Sequence, residues 1–214
     1  MKIAIIGATG FVGSTVLKEA LQRGHQVTAI ARNVDKVATG DKNLTAIAVD
    51  VDDSTNLANI LAGHDAVVSA YNAGWTNPNL YNDFIKGSEA IQQAVKLSGV
   101  KRLLVVGGAG SLEVAPGVQL VDTPEFPEQW KSGATAARDY LNKLKKETEL
   151  DWTFISPAAY LHPGKRTGVF RLGTDHPVVD ADGKNEISVE DMAVAIIDEL
   201  ENKQFIKKRF TLGY

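Results

Sequence analysis

The sequence predicts an α/β fold, a doubly wound parallel sheet covered by helices, in one domain spanning residues 1–214. Three observations carry that expectation. Short apolar runs alternate with helix-length amphipathic segments through most of the chain, and strand–helix alternation requires a parallel sheet shielded on both faces. A glycine-rich turn follows directly on the first apolar run. The chain has 214 residues and no cysteine, and at this size roughly 70 % of the unfolded surface is buried, enough for a core without cross-links.

Taken in order, Ile3–Ile6 is a buried strand ended by Gly7, and the apolar period over residues 11–23 predicts a helix. Gln26–Ala31, Thr45–Val49, Ala66–Ala70, Leu103–Val106 and Trp152–Ser156 read as further buried strands. Between them, helical patterns fall near 54–62, 79–98 and 128–149. In the second of these, Phe84, Ile85, Ile91, Ala94, Val95 and Leu97 share one broad face and Gly99 stops the helix. Residues 111–128 break the rhythm with Pro116, Gly117, Pro124 and Pro127; a structureless stretch of that length inside a domain predicts a lid or binding loop. Asp180–Gly183 reads as a turn, because a calcium loop would need a longer ligand series with a more distant glutamate. The remaining substrate-side loop is placed at 157–185.

Composition excludes several functions. The absence of cysteine excludes thiolate zinc, iron–sulfur and cysteine-nucleophile chemistry. With 23 basic and 26 acidic side chains the net charge is −3, so no general attraction to nucleic acid or anionic lipid is expected. The basic clusters Lys143–Lys146 and Lys207–Arg209 read as solvated edges. The apolar run after Met1-Lys2 stops at Gly7, too short for a signal peptide, and no run approaches the ~20 residues of a bilayer span. The expectation is a cytoplasmic protein, monomer or homodimer, acting on a small molecule without nucleic acid or membrane. His25, His64 and His176 show no metal-ligand spacing, and no metal is expected.

Gly7-Ala8-Thr9-Gly10-Phe11-Val12-Gly13 lies between strand and helix, the context in which a glycine-rich turn binds a dinucleotide pyrophosphate on a helix N-terminus. Gly7 makes the tight turn, Gly10 admits the phosphates, and Gly13 allows close helix packing. Gly7, Thr9, Gly10, Phe11, Val12 and Gly13 are therefore the predicted phosphate loop of a Rossmann-type domain. The second strand ends at Ala31-Arg32-Asn33 without the acid that would bind a ribose 2′-hydroxyl. Arg32 instead suits a 2′-phosphate, an interaction of about 1.5–3 kcal/mol, which favours NADPH with NADH as the alternative.

Three strand ends should converge on the nicotinamide: Ala70–Gly74, Gly107–Ser111 and Ser156–Tyr160. Ala70, Asn72, Gly107 and Pro157 are expected to line the cofactor there, with small residues leaving room for flat rings. Ser111, Tyr71 and Tyr160 are the candidate catalytic side chains. His162, Lys165 and Arg166 follow in a polar loop that reads as solvated or as closing on the substrate with its cations facing a ligand phosphate, and Trp130 is assigned to core packing over ring stacking.

The Gly-Ala-Thr-Gly-x-x-Gly spacing resembles the extended and atypical branches of the short-chain dehydrogenase/reductase superfamily. Leu150–Ala158, Ile187–Ala193 and Arg209–Tyr214 are similar to segments of its NAD(P)H-binding, NmrA-like members, including bacterial proteins described as NADH-flavin reductases. By position in similar reductases, Asp50 and Val51 flank the adenine; Asp52 or Ser54 could equally cap the next helix. Typical members of the superfamily use Tyr-x-x-x-Lys, and no tyrosine here has lysine four residues on. The resemblance thus implies an NAD(P)H-dependent oxidoreductase reducing free FMN or riboflavin, or a quinone-like ring, by direct hydride transfer, with the flavin as substrate. Such a ring takes up hydride without a dedicated acid, so the protein's task is orientation. A non-catalytic sensor of nicotinamide redox state and an atypical carbonyl reductase are the alternatives.

Overall fold

A computed structural model describes residues 1–37 and 40–214. The chain runs β1 (Lys2–Ile6), α1 (Phe11–Gln22), β2 (Gln26–Ala31), β3 (Leu44–Ala48), α2 (Ser54–Leu61), β4 (Ala66–Ser69), α3 (Leu80–Ser98) and β5 (Arg102–Val106). It continues with β6 (Glu113–Ala115), β7 (Val118–Gln119), α4 (Glu128–Leu144), β8 (Asp151–Ser156), β9 (Tyr160–His162), β10 (Arg171–Gly173), β11 (Glu186–Ser188), α5 (Val189–Asn202) and β12 (Lys208–Gly213).

Eight strands form one sheet in the order β10-β12-β8-β5-β4-β1-β2-β3. All its pairs are parallel except β10 with β12. Alternate residues of each strand feed two separate cores. Ala4, Ile6, Val67, Leu103, Val105 and Phe154 meet α2, α3 and α4 on one face, while Ile3, Ile5, Val68, Leu104, Ile155 and Phe210 meet α1 and α5 on the other. The order reverses between β1 and β4, so the loops after these strands open a crevice at the carboxyl edge.

The predicted architecture is present, with local corrections. The Thr45–Val49 strand is the exposed sheet edge, not a buried strand, because β3 has only one neighbour. Leu97 is exposed, off the buried face of α3. The fourth helix ends at Leu144, short of residue 149. Residues 111–128 are a folded insert: the β6–β7 hairpin, flanked by two 3₁₀ turns, is anchored by the buried side chains of Leu112 and Val121. Its backbone is tied down where the Glu113 N–H donates to the Asp175 carbonyl (2.8 Å). Arg209 is no solvated edge cation: it is buried, ion-paired to Asp175 and bonded to Ser111.

Candidate functional site

β1 delivers the chain into the crevice and Gly7 turns it. Gly7 has φ +80°, and a Cβ there would overlap the Ala70 carbonyl at the end of β4, so both backbone conformation and space demand glycine. A Cβ on Gly13 would in turn overlap the Gly7 carbonyl. Gly13 therefore seats the first turn of α1 on the loop itself, where the sequence suggested packing on the sheet. Gly10 is the N-cap and offers no side chain to the helix, and the first turn carries no acid. The amides of Phe11, Val12 and Gly13 precede the first N–H bonded within the helix, that of Ser14 to the Gly10 carbonyl, and remain available, at the positive end of the helix, for an anion. A pyrophosphate fits that cradle.

A cleft of about 360 Å³ extends from this loop. Gly7, Thr9 and Gly10 form one wall, Arg32 and the Asp50–Asp52 stretch another, and Ala70, Tyr71 and Asn72 a third. Arg32 is exposed and, among the described residues, makes no ion pair; it borders the cleft at the end of β2. Val51 is buried with Val49, an apolar surface suited to adenine. The Asp50 carboxylate accepts from the Asp52 N–H (3.0 Å), and Asp52 pairs with Lys86 (2.6 Å). Helix α2 is capped by neither Asp52 nor Ser54 but by Asp53, which accepts from the Asn56 N–H.

The predicted catalytic side chains are not brought together. Tyr71 lines the cleft, but its ring lies on Gly87 of α3 and its hydroxyl donates to the Asp83 carbonyl (3.1 Å). Burial pushes its pKa up, and the Asp52 and Asp83 carboxylates reinforce the shift. Ser111 is only 2 % exposed; its hydroxyl and carbonyl oxygens both accept from the Arg209 guanidinium (3.2 Å each). It faces the buried Arg209 guanidinium and does not border the cleft. Tyr160 sits on β9, 62 % exposed, its ring against His162 at 5.0 Å, also outside the cleft walls. Tyr140, the tyrosine with lysines nearby, is in the core with its hydroxyl on Gln92 (3.2 Å), and burial raises its pKa far above the phenol range.

The other strand ends differ from expectation too. The space a Gly107 side chain would need is filled by the Phe154 ring, and that of Gly110 by Ala134 and Val121. These glycines admit protein side chains, so the small residues after β5 leave less room for flat rings than the sequence suggested. Pro157 is buried just after β8, and neither it nor Gly107 borders the cleft. Asn72 does, and its side chain is spent on shape: Oδ1 accepts from the Gly74 N–H (2.7 Å). Arg166 is committed elsewhere, in a two-pronged pair with the buried Glu19 of α1 (2.7 and 2.8 Å), so it is not free to meet a flavin phosphate. Nor is Trp130 a core residue. It is 43 % exposed, at the start of α4, edge-to-face with Trp75 (4.9 Å between centroids, 89°). The isolation of two tryptophans in polar segments was the one signal in the sequence, and it did not reveal that they meet.

Among the described residues no group of three or more His, Asp or Glu side chains could hold a metal ion. Nor, among the described residues, is any helix long and apolar enough to cross a membrane.

The switch-point crevice, the side-chain-free helix N-terminus and the glycine cradle define a Rossmann-type dinucleotide-binding protein. The NAD(P)H-binding family profile matches residues 7–203. The chain belongs to that family, an oxidoreductase-type group within the atypical short-chain dehydrogenases/reductases. It is 42 % identical to the YwnB protein of Bacillus subtilis over 215 aligned residues, covering 99 % of this chain and 98 % of that one. A Bacteroides thetaiotaomicron structure provisionally named an epimerase superposes with TM-score 0.93 at 47 % identity, covering 100 % and 96 % of the two chains. A Streptococcus pneumoniae structure provisionally named an NADH-flavin reductase gives TM-score 0.87 at 36 % identity, covering 100 % and 99 %.

Proposed function

We propose that the chain is an NADPH-dependent reductase of free FMN or riboflavin, or of a quinone-like ring, acting by direct hydride transfer. The observation that carries this reading is a formed dinucleotide cradle at which none of the three candidate acids, Ser111, Tyr160 and Tyr71, is free to donate a proton. Ser111 is buried on Arg209, Tyr160 lies outside the cleft, and the Tyr71 hydroxyl is engaged with a backbone carbonyl. Carbonyl reduction needs an acid at the developing alkoxide, whereas a flavin ring delocalises the charge and takes its proton from water. The name of the pneumococcal neighbour agrees with this choice.

The phosphate loop and first turn of α1 would hold the pyrophosphate, Arg32 the 2′-phosphate, and Val51 with Asp50 the adenosine end. Held there, a nicotinamide would supply a hydride to a flavin's N5, and a solvent proton would complete its two-electron reduction. The protein contributes orientation, an effect that reaches about 7–11 kcal/mol in well-aligned systems. The test is NADPH oxidation by the purified protein with and without FMN under low oxygen, corrected for the reaction without enzyme. Saturable, FMN-dependent oxidation is expected. Cofactor binding with no oxidation across flavins and quinones would instead favour a redox-sensing binding protein, which the absent acid supports equally. Turnover of a carbonyl substrate lost on Tyr71→Phe would favour carbonyl chemistry.

A further inference from the structure

We propose that Trp75 and Trp130 form the platform on which the planar acceptor ring stacks, a role that rests on the reductase reading. Trp75 lies in the segment between β4 and α3, Trp130 in the first turn of α4 after β5. Both elements emerge at the carboxyl edge of the sheet. Neither indole borders the cleft itself, but the Trp75 segment is continuous with it: Ala73 and Asn77, on either side, both line the wall. A dinucleotide with its pyrophosphate on α1 and its adenosine end at Arg32 must send its other end toward β4 and β5, the side on which the two indoles stand.

The rings are seated yet left open. The Trp75 ring occupies the place of a side chain on Gly133, its Cζ3 2.6 Å from where a Cβ would be. A glycine inside a helix is unfavourable against alanine, and here it makes room for a ring that still exposes 54 % of its residue's surface. The backbone beneath is fixed: the Gly74 N–H donates to Asn72 Oδ1, the Asn77 N–H to the Gly74 carbonyl, and Asn77 Nδ2 to Asp83 (2.8 Å). A ring needed only for packing would be buried. The perpendicular contact with Trp130 leaves two indole faces meeting at a corner, a shape complementary to a flat aromatic ligand. Stacking is sequence-tolerant chemistry, since any flat heteroaromatic presents a π-face, and it accommodates isoalloxazine and quinone alike.

The experiment uses the full chain saturated with NADP⁺, so that no turnover occurs, and titrates riboflavin while tryptophan emission is followed. Trp152, the remaining tryptophan, is buried and serves as a reporter little affected by stacking at the surface. Wild type should be quenched saturably, with riboflavin Kd raised about tenfold in Trp130→Leu and restored toward wild type in Trp130→Phe. NADP⁺ affinity should be unchanged in both, which also certifies that they fold. Trp75→Leu should behave like Trp130→Leu. In turnover, the loss should fall on the flavin KM with the NADPH KM unaltered. Equal riboflavin affinity in wild type and both Leu variants overturns the platform while leaving the reductase reading intact. Weakened binding in the variants with no NADPH oxidation by wild type upholds the platform and overturns the reading. No riboflavin binding by wild type, despite NADP⁺ binding, overturns the platform.

Discussion

Arg32 shows what a single residue determines at this site. It stands at the end of β2, exposed on the cleft and without an ion-pair partner among the described residues, so its guanidinium need not leave a carboxylate to meet a ligand phosphate. Replacing it by glutamine should lower the preference for NADPH over NADH by about 10- to 150-fold, the equivalent of the 1.5–3 kcal/mol of a charge-assisted hydrogen bond; the ratio of the two dissociation constants measures it. Gly13 acts through sterics alone. In Gly13→Ala the new methyl group would overlap the Gly7 carbonyl, so the loop must shift, at a cost of about 1–3 kcal/mol in stability. Thermal melts should show that loss and titration calorimetry the disappearance of NADPH binding. Both residues were legible in the sequence, because a tight turn and a charged strand end act through local chemistry. Ser111 was not: its hydroxyl faces Arg209 of β12, a partner that only the sheet order brings near.

At the scale of elements, two buried polar side chains tie neighbouring segments together. His64, between α2 and β4, has Nδ1 on the Leu61 carbonyl (2.9 Å) and Nε2 on the Thr28 hydroxyl of β2 (2.8 Å). The carbonyl can only accept, so Nδ1 carries the proton and Nε2 accepts from Thr28. Burial holds the His64 pKa below the usual histidine value, with Lys2 adding to the effect against the Leu61 hydrogen bond. The unfolded chain therefore takes up a proton first as pH falls through about 6.5, and stability should drop below that pH by up to about 1.4 kcal/mol per unit until the folded histidine titrates. Denaturant melts at about pH 7.5 and about pH 5.5 should show a smaller pH-dependent loss in His64→Gln than in wild type.

Asp191, buried at the start of α5, accepts from Thr167 Oγ1 (2.6 Å), the Thr167 and Gly168 N–H groups, and the Tyr214 hydroxyl (2.8 Å). Burial pushes its pKa up, but these donors outweigh it and hold the carboxyl below the ordinary aspartate value. Asp191→Asn should cost about 1.5–3 kcal/mol and release the protection of the Thr167 and Gly168 amides in hydrogen exchange. Only the family resemblance over Ile187–Ala193 touched the start of this helix; the segment it anchors was read as part of a substrate-side loop, because the carboxylate that orders it lies 24 residues away.

For the molecule as a whole, the cofactor and the fold should stabilise each other. A ligand that binds only the folded chain adds about 2.7 kcal/mol when present at 100 times its dissociation constant, which for a chain of 150–250 residues is a rise of about 5 °C or more in Tm. NADPH should give that shift in wild type, and Gly13→Ala should abolish it. The sequence by itself determined the layered α/β fold, the glycine-rich turn between β1 and α1 and the exposed arginine after β2. Each is written in a short window, as an apolar period, a glycine spacing or a strand-end charge, and depends little on what lies across the molecule. Only the tertiary structure decided which polar side chains remain free for chemistry and which are consumed in holding the fold. That Ser111 belongs to Arg209, Arg166 to Glu19 and Trp130 to Trp75 follows from which elements the sheet and helices bring into contact, and residues distant along the chain share no local pattern that could announce it.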